Sequence, residues 1–295
     1  MVLNANSKKD LEDFKSYILV EKNFSQHTAK AYYADILAYL IWLGDNQCED
    51  VSFSKVREYL HFMQIFNYKK TTVARKIASI RTFYKYLHRE RKVESNPAES
   101  LISPKRPKSL PKFLTTDEVE QILSNINIDT PAGYRNRAIL ELLWASGMRV
   151  SELTGLNKRD VNFETGEVKV YGKGAKERIC FLTGRAKIHL KWYLESRVDD
   201  NEALFVTSKK PYTRITKNGV EYALKELGKS SGLSVTERVF PHKFRATLAT
   251  NMLNKGADIA DIQRILGHQS CDTTLQCYAK MEKDTIKKAH NTYIR

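Results

Sequence analysis

No apolar run in this chain of 295 residues approaches the roughly 20 residues that a bilayer span needs. The N-terminus, MVLNANSKKDLEDF, mixes charges of both signs from residue 8 onward and has no apolar core of signal-peptide length. Membrane insertion and export are therefore not expected, and a soluble, cytoplasmic protein is. Cysteine is scarce: Cys48, Cys180, Cys271 and Cys277 stand without paired spacing, which excludes a disulfide framework and agrees with a reducing compartment. Paired carboxylates of the kind that hold Mg²⁺ are also missing, as are fixed-period repeats and low-complexity tracts. Proline is thin too, with seven in all, but four of them (97, 104, 107 and 111) fall in one short stretch.

What the chain has in excess is positive charge. Lys and Arg number 49 against 34 Asp and Glu, for a net charge of +15 and a pI near 9.5. A surplus of this size attracts phosphate polyanions, so nucleic acid is the first partner expected, with a merely lysine-rich or ribosome-associated protein as the alternative.

Apolar residues recur at three- and four-residue steps in the first third of the chain. Leu11, Phe14 and Ile18 mark one helix, and Tyr32, Ile36, Tyr39, Leu40 and Leu43 a second that starts at Ser25. Val56, Tyr59, Leu60 and Met63 mark a third, and Val73, Ile77, Ile80, Phe83, Tyr84 and Leu87 a fourth. The other faces of that fourth helix carry Arg75, Lys76, Arg81, Lys85 and Arg89, which predicts a basic, DNA-facing surface. The prolines then interrupt, with Lys105, Arg106, Lys108 and Lys112 among them. Proline lacks the amide donor and disfavours helix in the residue before it, so this reads as an extended basic linker. The expected organisation is a helical DNA-binding domain over 1–103, a linker over 104–112 and a second domain over 113–295.

The second domain reads as mostly helical with one small antiparallel sheet. TDEVEQIL and RNRAILELLWASG are helical, the latter closing on Gly147. GEVKVYGKGAKERICFL predicts a β-hairpin in which Val168 and Val170 alternate before a Gly-Lys-Gly tip, and Ile179 and Phe181 after it. Helices resume at AKIHLKWYLESR, NGVEYALKELGKSSG, HKFRATLATNMLNKG, DIADIQRILGH and EKDTIKKAHNTYI.

At element edges in this domain stand Arg149 (GMRVSEL), Lys173 (GKGAKER), His242 and Arg245 (HKFR) and His268 (LGH), with Tyr278 ten residues later. Singly, each has an ordinary reading: a capping arginine, a solvated lysine, a hydrogen-bonded structural histidine. Together they describe a task. Two arginines clamp the non-bridging oxygens of a phosphodiester and match the charge that grows in a pentacoordinate transition state. Tyrosine is the nucleophile; with a reference pKa near 10, its ionisation at pH 7 costs about 4 kcal/mol, which clustered cations offset. A histidine accepts its proton, and lysine protonates the leaving 5′ oxygen. Two guanidinium groups neutralise the phosphate, so neither a metal nor another cofactor is expected. A rival metal reading of His268, Cys271 and Cys277 has intervals of three and six residues and no Cys-x-x-Cys support.

In order and content these motifs resemble the tyrosine recombinase, or phage integrase, family, and within it the Xer-like members. The resemblance spans essentially the whole chain. It implies a mainly α fold with a small antiparallel sheet, arranged as a two-domain C-shaped DNA clamp. It implies that Arg149, Lys173, His242, Arg245 and His268 surround the scissile phosphate, and that Tyr278 attacks it to give a 3′-phosphotyrosine and a free 5′ hydroxyl, without metal or ATP. Arg75, Lys76, Arg81, Lys105 and Arg106 become DNA-contact candidates, and Glu152 a supporting, more structural residue. The implied partners are double-stranded DNA with an inverted-repeat core site, three further protomers in a homo- or heterotetramer, and a DNA translocase as activator, at the nucleoid. Ala246 stands where many members carry a second histidine, and Cys277 where an aliphatic residue usually precedes the tyrosine. Chromosome or plasmid dimer resolution and mobile-element integration or excision both fit, as does, more distantly, a type IB topoisomerase-like enzyme. A DNA-binding protein that has lost catalysis is the reading from another class, and the retained Tyr278 speaks against it.

Overall fold

Side-chain caps set the beginnings of the helices. In the computed structural model, which describes residues 3–44, 48–104, 114–172, 177–232 and 239–267, helix α1 (Ala5–Val20) starts at Asn4, α2 (Gln26–Leu43) at Ser25 and α3 (Phe53–Ile65) at Ser52. Each of these side chains accepts a hydrogen bond from an amide of the first turn. Helix α4 (Lys70–Arg89) starts without a side-chain cap and is held by burial of one long face. The chain forms two compact units divided between Lys108 and Ser109, inside the stretch read as a linker.

In the first unit the four helices enclose one aromatic-rich core. Phe14 and Ile18 of α1, Ile36 and Tyr39 of α2, Val56 and Met63 of α3, and Ile77, Phe83 and Tyr84 of α4 are buried together. The Tyr39 and Tyr84 hydroxyls meet at 3.1 Å, so the polar ends of these buried rings satisfy each other.

In the second unit, α5 (Thr116–Ser124) opens with a capping box between Thr115 and Glu118. Helix α6 (Pro131–Ser146) starts with proline in its first turn and ends on Gly147 in the left-handed conformation. It is buried around most of its girth, with Ala138, Ile139, Leu140, Leu142 and Leu143 all inside the core, as befits a central helix. A short helix, α7 (Val150–Gly155), follows. Strands β1 (Val161–Asn162), β2 (Glu167–Tyr171) and β3 (Glu177–Phe181) form an antiparallel sheet in that order. Helices α8 (Gly184–Glu195), α9 (Lys217–Ser230), α10 (Pro241–Asn254) and α11 (Ile259–Leu266) complete the described part. No described helix is long and apolar enough to cross a membrane.

The sheet corrects the expectation from hydrophobic alternation. The register pairs Val168 with Cys180 and Val170 with Arg178. Cys180 and Arg178 therefore share the inward face with the two valines, while Ile179 and Phe181 point outward, 45% and 60% exposed. An inward arginine has taken the place an apolar residue was expected to fill. The helix predicted over EKDTIKKAHNTYI lies outside the described residues.

Candidate active site

Three arginines from three elements meet at two helix ends. An α-helix leaves its last carbonyls without intrahelical donors and carries partial negative charge there. Gly147 closes α6 at φ +58° and Gly267 closes α11 at φ +63°, both left-handed turns that glycine adopts without strain. Arg245, in the second turn of α10, donates from Nη1 to the Gly147 carbonyl at 2.8 Å and from Nη2 to the Leu266 carbonyl at 2.5 Å. Arg149, at the N-cap of α7, donates from Nη2 to the Gly267 carbonyl at 3.3 Å. Both glycines also sit in close packing. A Cβ on Gly147 would lie 2.6 Å from Leu266 Cδ2, and one on Gly267 would lie 2.9 Å from Arg178 Cδ.

Glu152, buried in the first turn of α7, is the anionic hub. Its Oε2 accepts the Arg149 amide at 2.6 Å and its Oε1 accepts Arg149 Nη1 at 2.9 Å. From β3, Arg178 makes a two-pronged contact with the same carboxylate, Nη1 to Oε1 and Nη2 to Oε2, each at 2.7 Å. Each carboxylate oxygen thus accepts one bond from Arg149 and one from Arg178.

The electrostatics follow from burial and crowding. Burial works to raise the Glu152 pKa, but the Arg178 side chain and the Arg149 amide outweigh it and hold the carboxyl down to about 2. Burial likewise opposes the charge of Arg178, yet the bonds to Glu152 raise its pKa overall. Arg245 is pushed down to about 10, first by burial and then by the Arg149 charge beside it. It stays charged at neutral pH. Among the described residues, Glu152 is the carboxylate against which these guanidinium groups gather, and such a gathering of cations suits an oxyanion. His242, one turn before Arg245, has its pKa lowered by desolvation of the imidazole and then by Arg245, Lys217 and Arg149, while Glu221 pulls the other way. Below its ordinary range it is neutral at pH 7 and able to accept a proton.

The structure thus brings together Arg149, His242 and Arg245 of the expected set. Lys173, His268 and Tyr278 lie outside the described residues, as do the metal candidates Cys271 and Cys277 and the linker residues Lys105 and Arg106. Arg178 was not foreseen, although a charged residue two positions from a buried Cys180 on the inward face of β3 was its signal.

The basic surface expected on α4 needs correction. Lys76 is buried, its side chain 8% exposed, and its ammonium lies 3.4 Å from Asp35 of α2. Arg75 pairs with the same carboxylate but keeps 41% of its side chain exposed, and Ser79 donates to it at 3.2 Å. Arg81 donates to the carbonyls of Ala98 at 3.2 Å and Leu101 at 2.6 Å, tying the end of the unit back onto α4. Burying Asp35 makes nearby cations necessary, so α4 spends Lys76 on internal charge balance.

Residues 112–284 match the phage integrase family and residues 11–91 its N-terminal SAM-like domain. The chain is 36% identical over 301 residues to the tyrosine recombinase XerC of Bacillus licheniformis, covering 98% of this chain and 97% of that one. It is 35% identical over 291 residues to the tyrosine recombinase XerC of Oceanobacillus iheyensis, with 95% and 94% covered. Among solved structures, XerA recombinase aligns at a TM-score of 0.54 with 28% identity, covering 97% of this chain and 98% of that one. XerH site-specific recombinase bound to its palindromic difH substrate aligns at 0.72 with 20% identity, covering 97% and 85%. A lambda integrase dimer bound to a COC′ core site aligns at 0.75 with 18% identity, covering 94% and 96%. The last two likenesses are likenesses of fold.

Proposed function

Because the chain belongs to the phage integrase family of tyrosine recombinases, we propose that Arg149 and Arg245 clamp the scissile phosphate of duplex DNA while Tyr278 attacks it. The protein is a site-specific DNA recombinase. The observation that supports the residue assignment is the convergence of Arg149 and Arg245 on the carbonyls that end α6 and α11, with Glu152 beside Arg149. Tyr278 Oη forms a bond to phosphorus and the bond from phosphorus to the 5′ oxygen breaks. The phenolic proton passes to a histidine, for which neutral His242 is suited, and Lys173 gives a proton to the departing 5′ oxygen. His268 supplies a further donor to the phosphate. The ester conserves the bond energy, so a 5′ hydroxyl from a partner strand reverses the attack without ATP.

The biological reading is Xer-like resolution of chromosome or plasmid dimers at the nucleoid, supported by the XerC relatives that align over nearly the whole chain. Four protomers on two inverted-repeat sites, alike or of two kinds and activated by a DNA translocase, would carry it out. In the first unit, half-exposed Arg75 and the linker residues Lys105 and Arg106 are the phosphate contacts assigned, and buried Lys76 is withdrawn from that role.

A nicked suicide duplex carrying the footprinted site tests the assignment. The wild-type chain should trap a covalent protein–DNA adduct, and Tyr278→Phe should bind the site equally well and trap none. An adduct from Tyr278→Phe would remove Tyr278 from its role. With a supercoiled plasmid carrying two sites as substrate, relaxation without any exchanged strands would overturn the recombinase reading.

A further inference from the structure

Arg178 spends both terminal nitrogens on Glu152. Its Nε is buried and has no hydrogen-bond partner among the described residues. Its side chain is only 14% exposed, so burial gives it less access to a phosphate than Arg149, whose side chain is 36% exposed. What it touches is informative. Its stem lies against Gly267, where any side chain would collide with it, and its fork closes on the carboxylate that also holds Arg149.

Glu152 presents two oxygens, and an arginine left alone with a carboxylate closes on both with its own fork. Here that geometry belongs to Arg178. Arg149 reaches the carboxylate with one side-chain nitrogen, sends another to the Gly267 carbonyl, and fills the remaining oxygen only through its backbone amide. Of the five N–H bonds of a guanidinium, Arg149 commits two among the described residues. We propose that Arg178 is a positioning residue for strand cleavage: by occupying the fork-binding geometry of Glu152, it prevents Arg149 from collapsing onto the carboxylate and keeps that guanidinium turned toward the scissile phosphate. The inference rests on the assignment of Arg149 to the phosphate and adds a residue that acts through it.

The test uses the charge that Arg149 neutralises. A suicide duplex is made with a methylphosphonate at the scissile position, which replaces one non-bridging oxygen by a neutral methyl group and so lessens the need for a cation. On the ordinary phosphodiester, Arg178→Ala in the full chain should slow single-turnover adduct formation about 10- to 100-fold, the scale of effect expected when a catalytic group is displaced by about 1 Å. Its footprint on DNA should be unchanged. On the methylphosphonate, Arg149→Ala and Arg178→Ala should both return to within about threefold of the wild-type rate on that substrate. Because Arg178→Ala removes a partner from a buried carboxylate, Arg178→Lys is measured beside it. It keeps a charge for Glu152 but no fork, and should fold as the wild type does with a smaller defect, also relieved by the methylphosphonate. Equal defects of the Arg178 variants on both substrates, or none on either, would overturn the proposal while leaving Arg149 in place. An Arg149→Ala defect that the neutral substrate does not relieve would overturn the assignment of Arg149 itself, and this inference with it.

Discussion

At residue scale, Glu152 links the stability of the second unit to the chemistry it supports. Its pKa is about 2 in the folded chain against an ordinary 4.5, so its contribution is fully present above about pH 4.5 and is lost as pH falls toward 2. A shift of that size corresponds to an order of 3 kcal/mol. Thermal unfolding of the wild type and of Glu152→Gln should therefore differ most near neutral pH, and the gap should narrow below pH 4.5 and close near pH 2. A gap that stays constant with pH would show that the carboxylate charge is not what matters. Arg149 and Arg245 were legible from type, motif and order. Arg178 was not, because the apolar Ile179 and Phe181 beside it suggested the opposite face of the strand as the buried one. A strand's inward face is normally read from its apolar residues, and here the inward face holds a cation whose partner is 26 residues away. Lys76 was misread for the complementary reason: its partner Asp35 sits on another helix, where no local pattern reveals it.

At the scale of elements, the long helices were legible because each has a buried face at helical spacing and most carry a side-chain cap at the start, α4 and α10 excepted. Ser25, Thr115, Asp258, Gly147 and Gly267 all do what their residue types suggest. The six-residue α7 was not, since it is too short to display a period and is defined by Glu152 reaching back to the Arg149 amide. Gly147 joins the two classes, as it both ends α6 and presents the carbonyl that Arg245 uses. Gly147→Ala forces a residue with a Cβ into the left-handed region, at about 1–2 kcal/mol, and drives that Cβ into Leu266 and Leu248, at about 1–3 kcal/mol more. The variant should melt at a lower temperature and lose adduct formation even where it remains folded, because the Arg245 acceptor shifts. Unchanged melting would mean that the α6–α11 junction repacks at no cost.

At the scale of the whole molecule, a net charge of +15 predicts strong, salt-sensitive attraction to DNA, but not every cation is available for it. The logarithm of the association constant should fall linearly with the logarithm of salt concentration, by about 0.9 for each phosphate neutralised. Lys76→Gln should leave that slope unchanged while lowering the stability of the first unit, as expected for a lysine committed to Asp35. A reduced slope would return Lys76 to the DNA surface. Composition made the partner legible, yet it counts charges without saying which are already balanced inside. The arginine cluster adds one more consequence. It draws on positions 149, 178, 245 and 267, with hydrogen bonds that join residues 98 and 118 apart in sequence. Contacts so distant along the chain form only when the intervening elements have folded. A chain still emerging from the ribosome, or frayed at α11, therefore holds scattered arginines and no centre. A recombinase built in this way holds its arginine cluster only once the elements of its second unit have folded around it.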